Sequence, residues 1–198
     1  MDYLLQCVSL EYSPMLDLTE DIHRDFAKRH NLTYVSKRGR VMEEYPAIFD
    51  AIPFTLSYLK KPDAGLVIWL DSDTLVVKDS DPHAVLGNHL VGMSRHRGPP
   101  AEHYNAGVMF LKACEEVIAL FQRVVDNGPG VYPWYQEDFI NKYLNEPQWD
   151  GKILTLSHEW NSTVILGHPE KCFIRAWHGY PGGLQERIRQ MKLSIAKL

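Results

Sequence analysis

The sequence has 198 residues, 45% of them hydrophobic, which is enough to bury a substantial core, and we expect one domain over residues 1–198. A net charge of −4 gives no general attraction for nucleic acid or an anionic membrane, and we expect neither as a partner. The three cysteines are widely spaced and odd in number, which argues against a disulfide framework or a zinc site, so we interpret Cys7, Cys114 and Cys172 as core thiols.

The chain begins with MDYLLQCVSL, and this apolar stretch predicts a first strand over Tyr3 to Leu10. It has no basic region before it, is too short for a signal peptide and is far too short to cross a bilayer. We therefore expect a cytoplasmic protein without an integral membrane segment.

A helix follows, because Leu18, Ile22 and Phe26 recur at four-residue spacing, and it is predicted to end near His30. The next predicted elements are a strand over Leu32 to Val35, a basic loop KRGR and a helix over Tyr45 to Leu59 that Pro53 ends or kinks. Strands are then predicted over Leu66 to Leu70, His89 to Met93 and Gly107 to Leu111, followed by a helix over Glu115 to Val125.

The pattern is less regular after residue 131. It predicts a helix in YPWYQEDFINKYL, short strands near 153 to 156 and 173 to 176, and a last helix from Leu184. The apolar stripe of the last helix is formed by Leu184, Ile188, Met191 and Ile195. Its basic residues are predicted to form a solvated face, and they are Arg187, Arg189, Lys192 and Lys197. The alternation of strands and helices predicts an α/β protein.

Asp71 and Asp73 interrupt two apolar runs in LVIWLDSDTLVVKD. Two carboxylates one residue apart repel each other, and partial burial disfavours their ionised forms, so a positive partner is expected close by. Mg²⁺ or Mn²⁺ meets that need, because hard cations take oxygen ligands and bridge carboxylates to substrate phosphates. The carboxyl end of a strand is also where open α/β sheets bind ligands. A hydrogen-bonded turn without a metal is the alternative, and Asp79 and Asp81 are interpreted as turn residues.

Three later segments add polar groups suited to a sugar or a phosphate. In HYNAGVMFLK, Gly107 lets backbone amides approach a ligand closely. WYQEDFIN places Gln136, Glu137 and Asp138 at a helix start, where acidic residues also interact favourably with the helix dipole. AWHGYPGG carries His178 in a glycine-rich turn, where a neutral imidazole can ligate a metal, although a lone histidine is more often structural.

In this order, WLDSD, NAGVMFLK, QEDFIN and WHG resemble the motifs of metal-dependent, retaining glycosyltransferases of the GT-A fold. The resemblance is to the galactosyl-, mannosyl- and xylosyltransferase family of fungal and plant Golgi enzymes and, more distantly, to glycogenin-like and lipopolysaccharide galactosyltransferases. VSLEY and LTEDIHRDFAKRHNLTYV are also similar to that family's first strand, helix and second strand. The resemblance implies a Rossmann-like, nucleotide-sugar-binding GT-A fold, with a central mixed, mostly parallel sheet flanked by helices.

The resemblance also implies site residues. Asp71 and Asp73 match the D-x-D pair, with Asp73 the stronger metal ligand and Asp71 shared with the donor ribose, and His178 completes the ligands of Mn²⁺ or Mg²⁺. Glu137 and Asp138 match the catalytic positions that face the donor sugar ring and its anomeric carbon. The remaining implied donor-binding residues are Ser72, Asn105, Ala106, Gly107, Gln136, His178, Gly179 and Tyr12. Tyr12 either stacks on uracil or is an ordinary core or surface tyrosine. Trp160 and Asn161 resemble a WN pair near the acceptor side.

Some positions depart from the family pattern. Relatives often have glutamine where Glu137 stands, and the family's H-x-x-G-x-x-K becomes HGYPGG, without the lysine. Neutralisation of the diphosphate is therefore left to another cation, and Arg187, Arg95 and Arg97 are the candidates. Lys112 stands where relatives usually have arginine, and we interpret it as structural.

The implied function is transfer of a hexose or pentose from a UDP-sugar to a glycan or other hydroxyl acceptor, with retention of configuration. Acceptor recognition could draw on further domains of a longer chain. The alternatives are a non-catalytic module that binds a sugar nucleotide or glycan, an enzyme that only hydrolyses its donor, and a sugar nucleotidyltransferase. VSLEYSP has no glycine or basic residue, which argues against the last of these.

Overall fold

The computed structural model describes residues 1–96, 103–130, 135–163, 172–178 and 181–198, and the side chains of 135 and 136 are also outside the description. The strands are β1 (Tyr3–Val8), β2 (Thr33–Arg38), β3 (Leu66–Leu70), β4 (Thr74–Val76), β5 (Val91–His96), β6 (His103–Lys112), β7 (Ile153–Leu156), β8 (Ser162–Thr163) and β9 (Ile174–Ala176). The α-helices are α1 (Ser13–Arg29), α2 (Ala51–Leu59), α3 (His83–Leu86), α4 (Glu115–Asn127), α5 (Tyr135–Leu144) and α6 (Gly183–Ile195).

The central sheet has the strand order β2-β1-β3-β6-β5-β7. All of its strands run in one direction except β6, which is antiparallel to both β3 and β5. The expectation of a mixed, mostly parallel sheet is therefore confirmed. Every residue of β1 and β3 is buried, as expected for central strands that are covered by helices on both faces.

Each face of the sheet carries its own apolar layer. One layer packs around Phe49, Trp69 and Phe121 and contains residues of α2, α4 and α5. The other packs around Phe26 and Phe110 and contains residues of α1. Helix α1 therefore packs on the opposite face of the sheet from α2 and α4, and the short helix α3 contributes Leu86 to the same layer as α1.

A second, three-stranded sheet with the order β4-β9-β8 lies beside the first. Strand β4 follows β3 after a turn of three residues, so the same chain segment passes from one sheet into the other. A third apolar cluster, built on Met15, Leu75, Trp177 and Met191, joins this small sheet to α1 and α6. The predicted apolar stripe of α6 packs against that cluster and is confirmed.

Two predictions for residues 36–59 were wrong. Pro53 does not interrupt a helix. A 3₁₀ helix over Ala47–Asp50 leads into α2, and Pro53 lies in the first turn of α2, where a missing N–H costs no intrahelical hydrogen bond. The KRGR stretch is not a free basic loop, because Lys37 and Arg38 extend β2 and Arg38 pairs with acidic residues of α1. Arg40 likewise bonds to the buried Asp50.

All three cysteines are unpaired. Cys7 and Cys172 are buried as expected, whereas Cys114 is half-buried and packs against the core. None of the helices in the described part of the chain is both long enough and apolar enough to cross a membrane.

Candidate metal and donor site

Two backbone hydrogen bonds just beyond the strand ends bring the predicted metal ligands together. The β3–β6 pairing continues for one residue, so that the Asp71 N–H donates to the Gly107 carbonyl at 2.8 Å. The β4–β9 pairing does the same, and the Trp177 N–H donates to the Asp73 carbonyl at 3.0 Å. His178 follows Trp177 directly, so its imidazole meets the two carboxylates just beyond the carboxyl end of β3.

Asp71, Asp73 and His178 form a cluster whose potential ligand atoms all lie within 4.8 Å of one another. The Nδ1 atom of His178 is 3.1 Å from Asp73 Oδ1 and 3.8 Å from Asp71 Oδ2. Two carboxylates and an imidazole suit a Mn²⁺ or Mg²⁺ ion that takes its remaining ligands from phosphate oxygens and water. The residues present therefore fit the metal that the sequence implied.

Arg187 is a fourth member of this site, which corrects its assignment to the solvated face of α6. Its Nη1 donates to Asp73 Oδ2 at 3.1 Å, and its side chain is only 24% exposed. The nearby Arg189 is solvated as predicted and bridges to Glu186. Arg187 turns inward because Asp73, buried next to another carboxylate, needs a cation close by.

The charges of these groups perturb one another. Burial alone would lower the pKa of His178, but Asp73 and Asp71 outweigh it and raise that pKa to about 8. Burial raises the pKa of Asp71, and the neighbouring Asp73 adds to the effect. Burial acts in the same direction on Asp73, but His178 and Arg187 outweigh it and hold the pKa of Asp73 below its ordinary value. The charges of His178 and Arg187 thus favour the ionised form of Asp73, whereas burial favours the protonated form of Asp71.

A chain of side-chain hydrogen bonds links His178 to Glu137. His178 Nε2 donates to Asn161 Oδ1 at 2.9 Å, and Asn161 Nδ2 donates to Asn105 Oδ1 at 2.7 Å. Asn105 Nδ2 in turn donates to Glu137 Oε1 at 2.9 Å. The donor and acceptor roles are fixed along this series of hydrogen bonds, because each carboxylate or amide oxygen can only accept.

Glu137 is buried, with 7% of its surface exposed. Its Oε1 also accepts from the Ala106 N–H at 2.9 Å, while His103 Nε2 lies 3.4 Å from Oε2. Burial raises the pKa of Glu137, although the Ala106 N–H and His103 act against that shift. The Asn141 side chain bonds to both backbone groups of Tyr104 and fixes α5 against β6.

Gly107 is required by close approach. A Cβ atom at this position would lie 2.5 Å from His178 Cε1 and 2.9 Å from both His178 Nε2 and Asn105 Oδ1. The imidazole can therefore reach Asp73 only because residue 107 has no side chain.

The other predicted site residues lie around this centre. Ser72 lies between the two aspartates and is half-buried, and Asp138 is half-buried beside Glu137. Tyr12 packs against the cluster around Trp177, at the end of a 3₁₀ helix after β1. Gly179, Arg97 and the side chain of Gln136 lie outside the described residues.

Sequence reasoning missed Gln6 and His23, which bond to the segment that carries the aspartates. A signal for Gln6 was present, because it is the one polar residue in YLLQCV, a strand that is otherwise apolar. His23 stands on the same face of α1 as Phe26 and had no such signal, because histidine is common on half-buried faces.

Comparison with known proteins gives likeness in structure alone, since no family model and no curated protein matches the sequence. A glycosyltransferase involved in the glycosylation of the major capsid of PBCV-1 aligns with a TM-score of 0.72, at 17% identity over 97% of this chain and 98% of that one. The galactosyltransferase LgtC, in complex with donor and acceptor sugar analogues, aligns with a TM-score of 0.63, at 12% identity over 98% and 96% of the two chains. Mouse xyloside xylosyltransferase 1 aligns with a TM-score of 0.52, at 11% identity over 90% and 98%. The chain therefore has the GT-A-type fold of glycosyltransferases.

The close contact at Gly107 predicts a specific coupling. Gly107→Ala should destabilise the protein by about 1–3 kcal/mol, because the new methyl group displaces the His178 ring from its two hydrogen-bond partners. In a His178→Ala background the part of this cost that comes from the imidazole should be absent, whereas the contact with Asn105 Oδ1 remains. Urea unfolding of the two single variants and the double variant measures the coupling. An equal cost of Gly107→Ala in both backgrounds would show that the His178 ring is not the group in its way.

Proposed function

We propose that the protein is a metal-dependent glycosyltransferase that moves a hexosyl or pentosyl group from a UDP-sugar to a hydroxyl group of a glycan or other acceptor, with retention of anomeric configuration. The observation that carries the proposal is the cluster of Asp71, Asp73 and His178 at the carboxyl end of β3 in a GT-A-type fold. Galactosyl and xylosyl transfer by proteins of similar structure supports a hexose or pentose as the donor sugar.

The proposed metal is Mn²⁺ or Mg²⁺, held by Asp71, Asp73 and His178. When bound, it would act as a Lewis acid that neutralises the charge growing on the leaving diphosphate. Ligation through Nδ1 of His178 would require this nitrogen, which lies 3.1 Å from Asp73 Oδ1, to give up its proton. Asn161 continues to accept from Nε2 and so fixes the orientation and the tautomer of the ring.

Arg187 is the cation that we propose for the diphosphate in place of the missing lysine. One of its nitrogens contacts Asp73, while its buried Nε has no hydrogen-bond partner among the described residues. A buried guanidinium nitrogen without a partner is costly, and a phosphate oxygen would satisfy it. The pairing with Asp73 keeps this side chain at the site before the donor arrives.

Glu137 is the residue that we propose to stabilise positive charge on the sugar ring. Its Oε1 is held by Asn105 and the Ala106 N–H, so the carboxylate is a fixed group of negative charge rather than a mobile nucleophile. In same-face transfer, the bond from the anomeric carbon to the diphosphate oxygen breaks and the acceptor oxygen bonds to that carbon. The acceptor hydroxyl proton then passes to the departing phosphate oxygen, so the step needs no further base.

Titration with nucleotides tests the proposal without knowledge of the acceptor. UDP and one or a few UDP-sugars should bind in calorimetry with Mn²⁺ present and bind far more weakly without it. At a hundredfold excess over Kd, such a ligand should raise the midpoint of thermal unfolding by about 5–10 °C. If no uridine nucleotide binds with or without metal, the proposed donor class is wrong.

Two variants serve as controls for this titration. Asp73→Asn keeps the size of the side chain and should abolish metal-dependent binding, whereas Arg187→Met should weaken UDP about tenfold and leave the binding of uridine unchanged. Binding that persists without metal in Asp73→Asn would favour a non-catalytic binding module. Release of free sugar without transfer to any acceptor would favour a donor hydrolase.

Substitution of Glu137 separates charge stabilisation from covalent catalysis. Glu137→Gln should lower kcat by roughly a hundredfold and leave the KM for the donor nearly unchanged, because the charge is needed in the transition state. As a control, Glu146→Gln removes a charge from an exposed ion pair near the end of α5 and should leave both kcat and the KM for the donor unchanged. The measurement is steady-state kinetics with intact-mass analysis of the enzyme during turnover. A glycosylated enzyme, or full activity of Glu137→Gln, would contradict this role.

A further inference from the structure

Two polar side chains lie fully buried in the apolar layer between α1 and the sheet. Gln6 on β1 and His23 on α1 have no exposed surface, and the apolar layer on the α1 face of the sheet contains Leu4, Phe26 and Leu70. Burial of polar groups at such a position is unfavourable unless every donor and acceptor finds a partner. The partners of these two side chains lead to the segment that carries Asp71 and Asp73.

The hydrogen bonds form a chain with fixed direction. The Val76 N–H donates to His23 Nε2 at 3.2 Å, so this nitrogen carries no proton and Nδ1 carries one. His23 Nδ1 donates to Gln6 Oε1 at 2.8 Å. The amide of Gln6 donates to the Asp71 carbonyl at 3.2 Å. Tyr34 on β2 also donates to Gln6 Oε1, at 2.8 Å, and so holds the amide in this orientation.

His23 is suited to this chain because it stays neutral. Burial lowers its pKa to about 3, so that Nε2 remains able to accept a hydrogen bond throughout the physiological pH range. A protonated ring would present two donors and lose the bond from Val76.

These hydrogen bonds join the two ends of the segment 71–76, which consists of the three-residue turn after β3 together with strand β4 and is called the 71–76 turn. The Asp71 carbonyl lies at the start of the segment 71–76, and the Val76 N–H lies at its end. Within the segment, Thr74 bonds to the same Asp71 carbonyl through its N–H and its hydroxyl. Asp73 lies between the two ends, so the direction of its carboxylate depends on the conformation that these bonds select.

We propose that Gln6 and His23 are positioning residues, forming a clamp that holds the 71–76 turn in the conformation in which Asp71 and Asp73 bind a divalent cation. The inference rests on the proposed metal-dependent function. Apolar side chains of similar volume would fill the same space but would leave the buried Val76 N–H without its acceptor. A clamp has a use that apolar packing lacks, because directional bonds fix the turn before the metal and the donor arrive and so lower the cost of binding.

Three variants break the clamp at different points. Gln6→Met removes the donor to Asp71. His23→Asn keeps a donor for Gln6 and removes the acceptor for Val76, while the longer His23→Gln retains an acceptor for Val76. Thr19→Val is a matched control, because Thr19 is fully buried on α1 and, among the described residues, its hydroxyl bonds to the Leu16 carbonyl of the same helix.

Val124→Ala is a second control, because it removes buried volume from the layer on the other side of the sheet. It should lower the free energy of unfolding without a change at the turn. Comparison at equal loss of stability, measured by urea unfolding, then separates an effect on the turn from an effect on the whole fold.

Two measurements test the clamp, namely amide hydrogen exchange of Thr74 and Val76 in the metal-free protein, and calorimetric titration of UDP with Mn²⁺. Gln6→Met and His23→Asn should speed exchange at these amides by at least tenfold and weaken metal-dependent binding of UDP by roughly 10–100-fold. His23→Gln should recover much of the loss at Val76, and both controls should behave like the unmodified protein.

The clamp would be overturned if exchange at Thr74 and Val76 in Gln6→Met and His23→Asn matched that in Val124→Ala, or if these variants bound UDP and Mn²⁺ as tightly as the controls. If the unmodified protein binds no UDP in a metal-dependent manner, the proposed function fails. Hydrogen exchange then still decides whether Gln6 and His23 hold the turn.

Discussion

The site depends on the placement of two carboxylates, Asp71 and Asp73, where water cannot easily screen them. Their repulsion is offset on one side by the imidazole of His178 and on the other by the guanidinium of Arg187, each 3.1 Å from Asp73. Removal of either cation would leave charge uncompensated at a largely buried position, which is among the more destabilising changes a protein can suffer. The same arrangement suits a divalent cation, because a site that requires positive charge will accept it from a metal.

The fold brings these groups together through strand pairing. Strand β6 runs antiparallel between β3 and β5, so that Asn105, Ala106 and Gly107 lie beside the end of β3. The chain then leaves β3 for the second sheet, where β9 places His178 beside the same turn. Because the pairing fixes the backbone, only a residue without a side chain fits at position 107 beside the imidazole of His178. The side-chain amides of Asn105 and Asn161 link that imidazole to Glu137 by hydrogen bonds.

Local pattern was sufficient for much of the fold. The strand over Leu66–Leu70 was predicted with its observed bounds. The end of α1, the bounds of α4 and the start of α6 were predicted to within two residues, because strong apolar periodicity determines these helices. Pro53 was misread because a proline in the first turn of a helix and one that ends a helix look alike in sequence. Strand β5 was predicted too early and β6 too short, since polar residues continue both strands beyond their apolar parts.

The site was predicted in its motifs but not in its connections. Asp71 and Asp73 are neighbours in sequence, whereas His178 and Arg187 lie 105 and 114 residues from Asp73. Nothing local shows that Arg187 turns inward while Arg189 remains solvated, because that choice depends on the charge that α6 meets in the folded protein. The hydrogen bonds of Gln6 and His23 likewise could not be predicted, since they join β1, α1 and the turn after β3.

The most direct test of the proposed metal site is anomalous diffraction at the manganese edge from crystals grown with Mn²⁺ and UDP. We predict one strong peak within about 2–2.5 Å of a carboxylate oxygen of Asp71, a carboxylate oxygen of Asp73 and a ring nitrogen of His178. We also predict that Arg187 moves from Asp73 to the diphosphate. A nucleotide bound without manganese at these residues, or manganese at other residues, would contradict the assignment of this site as a metal-dependent donor site.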